Sequence, residues 1–173
     1  EHCVAMEEVS RASASIGLSY GAHSNLCINQ IRRNGSEEQK RRYLPKIASG
    51  ELKLQAFGVS EPTTGTDTTQ LKTRAVRQGD KYVVNGQKIW ISRAEHSDLM
   101  VLLCRTSPRR DEKPSDGMSV LLVDMKAAVG NGLTIRPVRT MLNHATTELF
   151  FEEVSVPAAN RVGEEGKGFG YIL

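Results

Sequence analysis

The sequence predicts an α+β protein in which a helical segment precedes a closed β-sheet or a β-sandwich. Apolar residues recur at near-helical spacing within residues 1–50, as Val9, Ala12 and Ile16 show. Short runs of strand-forming residues follow between residues 52 and 157, and turn residues such as Gly79-Asp80 separate them. No helical pattern interrupts these runs, which favours a sheet that packs on itself.

The helical segment carries start and stop signals. Asn34-Gly35 predicts the end of one helix. Ser36, with Gln39 three residues later, forms a capping box that begins the next helix. Pro45 lies inside that helix and is expected to end or kink it, because proline lacks an N–H donor and clashes with the preceding turn.

The strand candidates differ in their expected positions. Leu99–Cys104 is apolar on both faces and is expected to be a central strand. Asn85-Gly86 is a strong hairpin signal, since both residues tolerate positive φ, and it predicts a turn between two strands. The candidates in chain order are Leu54–Ser60, Leu71–Arg77, Lys81–Val84, Gln87–Ser92, Leu99–Arg105, Met118–Asp124, Leu133–Arg139 and Thr147–Val156.

The composition is that of a soluble globular protein. The 173 residues are 39% hydrophobic and 25% charged, and a net charge of +3 is too small to argue for nucleic-acid binding. No apolar run approaches the roughly 20 residues of a membrane span. The three cysteines are far apart and indicate a reducing compartment, and the four histidines show no metal-ligand spacing.

A hydroxyl-rich loop, Phe57–Asp67, follows the first strand candidate and reads F-G-V-S-E-P-T-T-G-T-D. Pro62 fixes its own φ, whereas Gly65 permits positive φ and close approach by another molecule. The serine and threonine side chains supply short donors and acceptors that suit the polar edge of a flat or phosphorylated ligand. A solvated turn is the alternative interpretation.

The only tryptophan lies in a strand candidate whose side chains should alternate between two faces. Ile89 and Ile91 then share one face. Lys88, Trp90 and Ser92 share the other. With the isoleucines toward the core, Trp90 points outward with a hydroxyl two residues on, which suits a flat aromatic ligand or an interface. A tryptophan that covers a second small core is the alternative.

Two motifs resemble the acyl-CoA dehydrogenase family. G-V-S-E-P-T-T-G-T-D at residues 58–67 resembles the family pattern V-[ST]-E-P-x-x-G-[ST]-D, and Y-V-V-N-G-Q-K-I-W-I-S at residues 82–92 resembles N-G-x-K-x-W-I-[ST]. The later segments E-L-F-F-E-E-V-S-V-P and G-E-E-G-K-G-F resemble the junction between the family's middle and last domains. The chain departs from the usual pattern at Thr64, Gln70 and Arg93, which indicates a divergent branch.

The resemblance implies a three-part organisation. Residues 1–52 would be the C-terminal part of an N-terminal helical domain, residues 53–157 an antiparallel β-barrel middle domain, and residues 158–173 the start of a C-terminal helical domain. The chain begins without Met and stops at Leu173 as a new helix starts, so we expect it to be truncated at both ends.

The resemblance also implies FAD-dependent α,β-dehydrogenation of an acyl-CoA thioester. The catalytic glutamate would lie beyond Leu173, so no catalytic residue is expected in this chain, and this stretch alone should be inactive. Glu61 and Asp67 would act as acceptors that stabilise the loop. FAD would be bound by Phe57, Val59, Ser60, Gly65, Thr66, Trp90, Ile91 and Ser92, and the acyl-CoA substrate by Thr66 and Ser115.

The implied partners are an electron-transfer flavoprotein, as electron acceptor, and further copies of the chain in a dimer or tetramer. The implied compartment is the cytoplasm of a bacterium or the mitochondrial matrix of a eukaryote. An acyl-CoA oxidase or flavin monooxygenase of the same fold is an alternative, as is a non-catalytic member that binds flavin or lipid. The resemblance does not specify the acyl chain.

Overall fold

The computed structural model describes residues 1–142 and 145–173, so Asn143 and His144 lie outside the described residues. The first part of the chain is helical, as predicted. No helix in these two ranges is long and apolar enough to cross a membrane. The helices are α1 (His2–Ala12), α2 (Ala14–Gly21), α3 (Asn29–Asn34) and α4 (Glu37–Ala48), and a π-helical turn (Ala22–Ile28) joins α2 to α3.

Helix α4 begins as predicted but does not end at its proline. The Ser36 hydroxyl accepts a hydrogen bond from the Gln39 amide, and the Gln39 side chain accepts one from the Ser36 amide, both at 3.1 Å, so the capping box is confirmed. The helix continues past Pro45, so the predicted end is wrong. Tyr43 and Ile47 are buried on either side of Pro45, and this packing outweighs the one hydrogen bond that proline removes.

The rest of the chain forms one eight-stranded sheet. Two short helices, α5 (Met125–Ala128) and α6 (Gly168–Ile172), lie after β5 and near the end of the chain. The α+β class is therefore confirmed. The strands are β1 (Leu54–Gly58), β2 (Arg74–Gln78), β3 (Lys81–Ser92), β4 (Leu99–Arg105), β5 (Met118–Asp124), β6 (Leu133–Pro137), β7 (Thr146–Pro157) and β8 (Arg161–Val162).

The sheet does not close into the barrel that the resemblance implied. The strand order is β6-β7-β3-β2-β4-β5-β8, and within the described residues no pairing joins β6 to β8. The sheet is also not wholly antiparallel, because β1 and β2 both run parallel to β4. β1 pairs with Leu99–Leu102 and β2 pairs only at Arg105, so the sheet branches at β4 instead of continuing to closure.

Strand β3 is continuous, so the predicted hairpin turn at Asn85-Gly86 is wrong. It pairs with β2 as far as Asn85 and with β7 along both halves, and its register shifts between Val84 and Gly86. Gly86 has φ +150°, and a Cβ on it would lie 2.6 Å from the Thr73 Cα. The Asn-Gly pair therefore permits close backbone approach inside a bulged strand, which has the same local sequence signal as a turn.

Strand β4 separates two hydrophobic cores, as its apolar faces predict. All of its residues are buried. The side chains of Met100 and Leu102 lie on one face of the strand and pack in the first core. Val101, on the opposite face, packs in a second core that includes Ile31 of α3 and Tyr43 of α4. The helical segment therefore packs on one face of the sheet.

Candidate functional site

A second bulge in β3 turns the only tryptophan outward. The register with β7 shifts between Lys88 and Ile91, and Trp90 has φ 62°, a left-handed conformation that is uncommon for a bulky residue. Trp90 is 60% exposed and Ser92 is also exposed, as predicted. Lys88 is fully buried, so its predicted place beside Trp90 is wrong. The extra residue of the bulge interrupts the alternation of side chains at this point.

The buried lysine binds the hydroxyl-rich loop. The Lys88 ammonium donates to the Glu61 carboxylate at 2.8 Å and to the Val59 carbonyl at 2.9 Å. Glu61 also accepts from the amides of Lys72 at 2.6 Å and Thr73 at 2.9 Å. Burial acts to raise the pKa of Glu61, but the Lys88 charge and these hydrogen bonds outweigh it and lower the pKa. Glu61 is therefore a buried acceptor that stabilises the loop, as expected.

The loop places Ser60 next to the bulge. The Ser60 carbonyl accepts a hydrogen bond at 3.0 Å from the amide of Ile89, the residue before Trp90. Within residues 1–142 and 145–173, neither the amide nor the hydroxyl of Ser60 has a hydrogen-bond partner. The exposed Trp90 indole thus lies on the strand that is hydrogen-bonded to Ser60. The Ser60 amide and hydroxyl can therefore donate to another molecule.

A tight turn shapes the next part of the loop. Glu61 and Thr64 exchange both of their backbone hydrogen bonds at 3.0 Å. Gly65 does not adopt positive φ, although its residue type permits it. Apart from Gly65 itself and its chain neighbours, no described residue has a heavy atom within 4 Å of the position that a Gly65 Cβ would occupy, so the space beside it is open. The glycine therefore leaves room for close approach, as predicted, without a left-handed backbone.

Asp67 stabilises the end of the loop. It caps the short 3₁₀ turn that follows, accepting from the Thr69 amide at 3.1 Å, the Thr69 hydroxyl at 2.6 Å and the Gln70 side chain at 3.1 Å. These hydrogen bonds, that of the Thr69 side chain first, lower the pKa of Asp67. Thr66, immediately before it, is exposed.

Ser115 lies in the β4–β5 loop. Arg105 joins this loop to the 3₁₀ turn at Thr68–Gln70. The Arg105 guanidinium donates to the carbonyls of Thr69 at 2.6 Å, Pro114 at 2.8 Å and Asp116 at 3.0 Å. Ser115 is half-buried between the last two. No role for Arg105 was predicted from the sequence. Its only signal there is a single charged residue at the end of an apolar strand.

Two of the predicted flavin contacts lie deeper than the others. The Ile91 side chain is buried in the first core, with Met100 and Leu102. The Ile91 carbonyl accepts a hydrogen bond from the Thr147 hydroxyl at 2.8 Å. Phe57 is half-buried and packs against the second core. Phe57 and Ile91 therefore pack toward the hydrophobic cores, whereas Trp90 and Ser92 are exposed.

Comparison with known proteins assigns the chain to a family. The family model described as acyl-CoA dehydrogenase, middle domain, matches residues 56–154, and the model for the N-terminal domain of the same family matches residues 1–51. The chain therefore belongs to the acyl-CoA dehydrogenase family.

Individual relatives are similar along nearly the whole chain. A mitochondrial isovaleryl-CoA dehydrogenase from Pongo abelii is 43% identical over 100% of this chain, which spans 40% of that relative. The crystal structure of an acyl-CoA dehydrogenase from Geobacillus kaustophilus has a TM-score of 0.86 and 39% identity, over 99% of this chain and 44% of its own. The structure of butyryl-CoA dehydrogenase from Megasphaera elsdenii has a TM-score of 0.84 and 33% identity, over 96% of this chain and 43% of its own.

Proposed function

We propose that the complete protein is an FAD-dependent enzyme that dehydrogenates an acyl-CoA thioester between its α and β carbons. The observation that supports this most is the exposed Trp90 on a left-handed bulge, near the Ser60 amide and hydroxyl, which have no hydrogen-bond partner among the described residues. An indole can stack on a flat heteroaromatic ring while serine donors meet its polar edge. The residues present therefore fit the flavin of FAD.

Different residues of the site would bind different parts of FAD. Ser60 would bind the pyrimidine edge through its amide and hydroxyl, Trp90 would stack on the ring, and Ser92 would donate near the position that receives hydride. When bound, the flavin supplies the hydride acceptor for the β carbon of the substrate. The Lys88–Glu61 pair fixes the loop that carries Ser60, so these donors are held in place before the ligand arrives.

We propose that the base that removes the α proton lies outside this chain. Glu61 is in the right loop, but Lys88 and two backbone amides bind its carboxylate, and its pKa is lowered. A general base needs access to the substrate and a pKa closer to the working pH. Glu61 therefore does not fill this role. Thr66 would contact both FAD and the substrate, and Ser115 would contact the substrate.

Short or branched acyl-CoA thioesters are the first substrates to test, because similar proteins are named isovaleryl-CoA and butyryl-CoA dehydrogenase. We further propose an electron-transfer flavoprotein as the electron acceptor and a homo-oligomeric assembly. The compartment would be the mitochondrial matrix in a eukaryote, as in the relatives named mitochondrial, or the cytoplasm in a bacterium. The two alternatives, oxygen-dependent oxidation and non-catalytic binding, are separated by the experiment below.

The test is to purify the complete protein and measure its flavin. We expect bound FAD, and bleaching of its visible absorbance by isovaleryl-CoA or butyryl-CoA. In Trp90→Ala, the loss of ring stacking is expected to raise the Kd for FAD by about tenfold. Val76→Ala, which removes an exposed apolar side chain from β2, is the matched control and should leave the Kd unchanged.

Three results would change the conclusion. A colourless wild-type protein, or Trp90→Ala with wild-type FAD affinity, would contradict the proposed site. Turnover that consumes oxygen stoichiometrically would indicate an oxidase or monooxygenase. Bound FAD that no acyl-CoA reduces would indicate a binding protein without catalysis.

A further inference from the structure

Arg105 is a buried cation whose partners are backbone carbonyls. It is 8% exposed, and within the described residues no carboxylate pairs with it. Its two terminal nitrogens donate to three carbonyls, and its Nε is buried without an acceptor. An arginine held in this way costs desolvation energy that a counter-ion would normally offset. The three carbonyls in turn receive donors from one side chain, so Arg105 holds together the segments that carry them.

The three carbonyls belong to two separate loops. Thr69 lies in the 3₁₀ turn that Asp67 caps, directly after the hydroxyl-rich loop. Pro114 and Asp116 lie in the β4–β5 loop, on either side of Ser115. Because the guanidinium is planar and its donors form a rigid fork, it fixes the distance between these two loops.

Several charged side chains lie near the two loops. The Asp116 carboxylate pairs with Arg110 at 2.9 Å, so the β4–β5 loop is held at its side chain as well as at its carbonyl. Burial first, and then the nearby charge of Arg109, lower the pKa of Arg105, against the opposing effect of the Glu61 charge. The same Arg109 charge acts on Asp67 in the first loop. Arg109 and Arg110 thus lie on the loop that carries Ser115, and each pairs with an acid of that loop, Asp111 and Asp116.

We propose that Arg105 is a positioning residue for substrate binding, which sets the spacing of Thr66 and Ser115 for the CoA part of the thioester. This inference rests on the proposed function. Arg105 is too deeply bound to its three carbonyls to contact the substrate itself. It acts through the loops, so its removal should weaken binding of CoA. The FAD contacts at Ser60 and Trp90 are held by the Lys88–Glu61 pair and by β3, so FAD binding and the chemical step should change little.

The test compares Arg105→Met and Arg105→Lys with the wild-type complete protein. Isothermal titration with free CoA measures binding without turnover, and we expect the Kd to rise by about tenfold in Arg105→Met. KM for the acyl-CoA that reduces the wild-type flavin should rise by a similar factor of about tenfold, with kcat and FAD content nearly unchanged. Arg105→Lys keeps the charge but not the fork, and should also weaken binding.

A truncated substrate distinguishes positioning of CoA from a general structural role. The N-acetylcysteamine thioester of the same acid lacks the nucleotide, so its KM should change by less than about twofold in the variants. Arg77→Met removes an exposed arginine of β2 and serves as the control, with wild-type CoA affinity expected. If Arg105→Met does not fold, Arg105→Lys decides the question by the same measurements.

Unchanged CoA affinity in a folded Arg105 variant would overturn the inference and leave the proposed function standing. Equal losses for acyl-CoA and for the truncated thioester would also overturn it. A wild-type protein that binds neither FAD nor CoA would overturn the proposed function, and this inference with it.

Discussion

At the scale of single residues, the hydroxyl-rich loop contains a polar group that the fold leaves unsatisfied. Thr64 is 5% exposed, and its hydroxyl has no hydrogen-bond partner in the part of the chain that the structure describes. The Thr147 hydroxyl is equally buried but donates to the Ile91 carbonyl at 2.8 Å. A buried hydroxyl without a partner costs about 1–3 kcal/mol. A side chain without a hydroxyl at position 64 would avoid this cost.

Thr64→Val is therefore expected to stabilise the protein by about 1 kcal/mol, because it removes the unpaired hydroxyl and keeps the branched shape. Thr147→Val is the control, and should destabilise the protein by about 1 kcal/mol because a satisfied hydrogen bond is lost. Urea unfolding measures both values. Destabilisation of the two variants by the same amount would show that the Thr64 hydroxyl is satisfied in solution.

At the scale of structural elements, one buried ion pair joins the hydroxyl-rich loop to β3. The side chains of Lys88 and Glu61 are 0% and 4% exposed, and their charged atoms are 2.8 Å apart. A buried charge that loses its partner is strongly destabilising. The folded-state pKa of Glu61 lies below its usual value of 4.5, so its contribution to stability is fully present above that pH and is lost as the pH falls through the lowered pKa.

Glu61→Gln is accordingly expected to lower the free energy of unfolding by about 3–5 kcal/mol at neutral pH, since it leaves the Lys88 ammonium without a counter-ion. The variant should also lose less stability than the wild type between neutral pH and pH values below 4.5. Urea unfolding across that range is the measurement. Glu37→Gln, at an exposed acid paired with Lys40, is the control, and should unfold at nearly the same urea concentration as the wild type, because solvent screens exposed pairs. A wild-type pH dependence in Glu61→Gln would disprove the assignment.

At the scale of the whole molecule, the helical segment and the sheet form one structure. Their common core includes Ile31 and Tyr43 from the helices and Val101 from β4. Gln39 of α4 also donates to the carbonyls of Ala159 at 2.7 Å and Arg161 at 2.8 Å, far along the chain. Shared burial and these long-range hydrogen bonds favour cooperative unfolding of both parts.

Gln39→Ala should lower the free energy of unfolding by about 1–3 kcal/mol, because it removes the capping box and leaves two carbonyls without their donor. Lys40→Ala, at the half-buried position next to it, removes only the ion pair with the exposed Glu37 and should change stability by at most about 1 kcal/mol. Circular dichroism and Trp90 fluorescence, followed in urea, should report one coincident transition for each protein. Separate transitions for the helices and the sheet would contradict this prediction.

Much of the local structure could be predicted from the sequence. The capping box at Ser36, the central strand at Leu99–Cys104 and the outward Trp90 were all expected. The family motifs also identified the loop and the strand that meet at the candidate site. These signals are local or periodic, so neighbouring residues contain all the information that they require.

The tertiary structure alone decided how these pieces combine. The bulges at Gly86 and Trp90 depend on pairing with β7, and they convert an apparent hairpin into one strand and turn Lys88 inward. The role of Arg105 depends on two loops that are distant in sequence from each other. The open sheet also depends on long-range pairing, because β1 and β2 share one edge of β4 and, within the described residues, β6 does not pair with β8. The sequence by itself determined the family, the class of fold and the helix caps, whereas strand register and buried charge required the folded chain, because both depend on partners that local sequence does not specify.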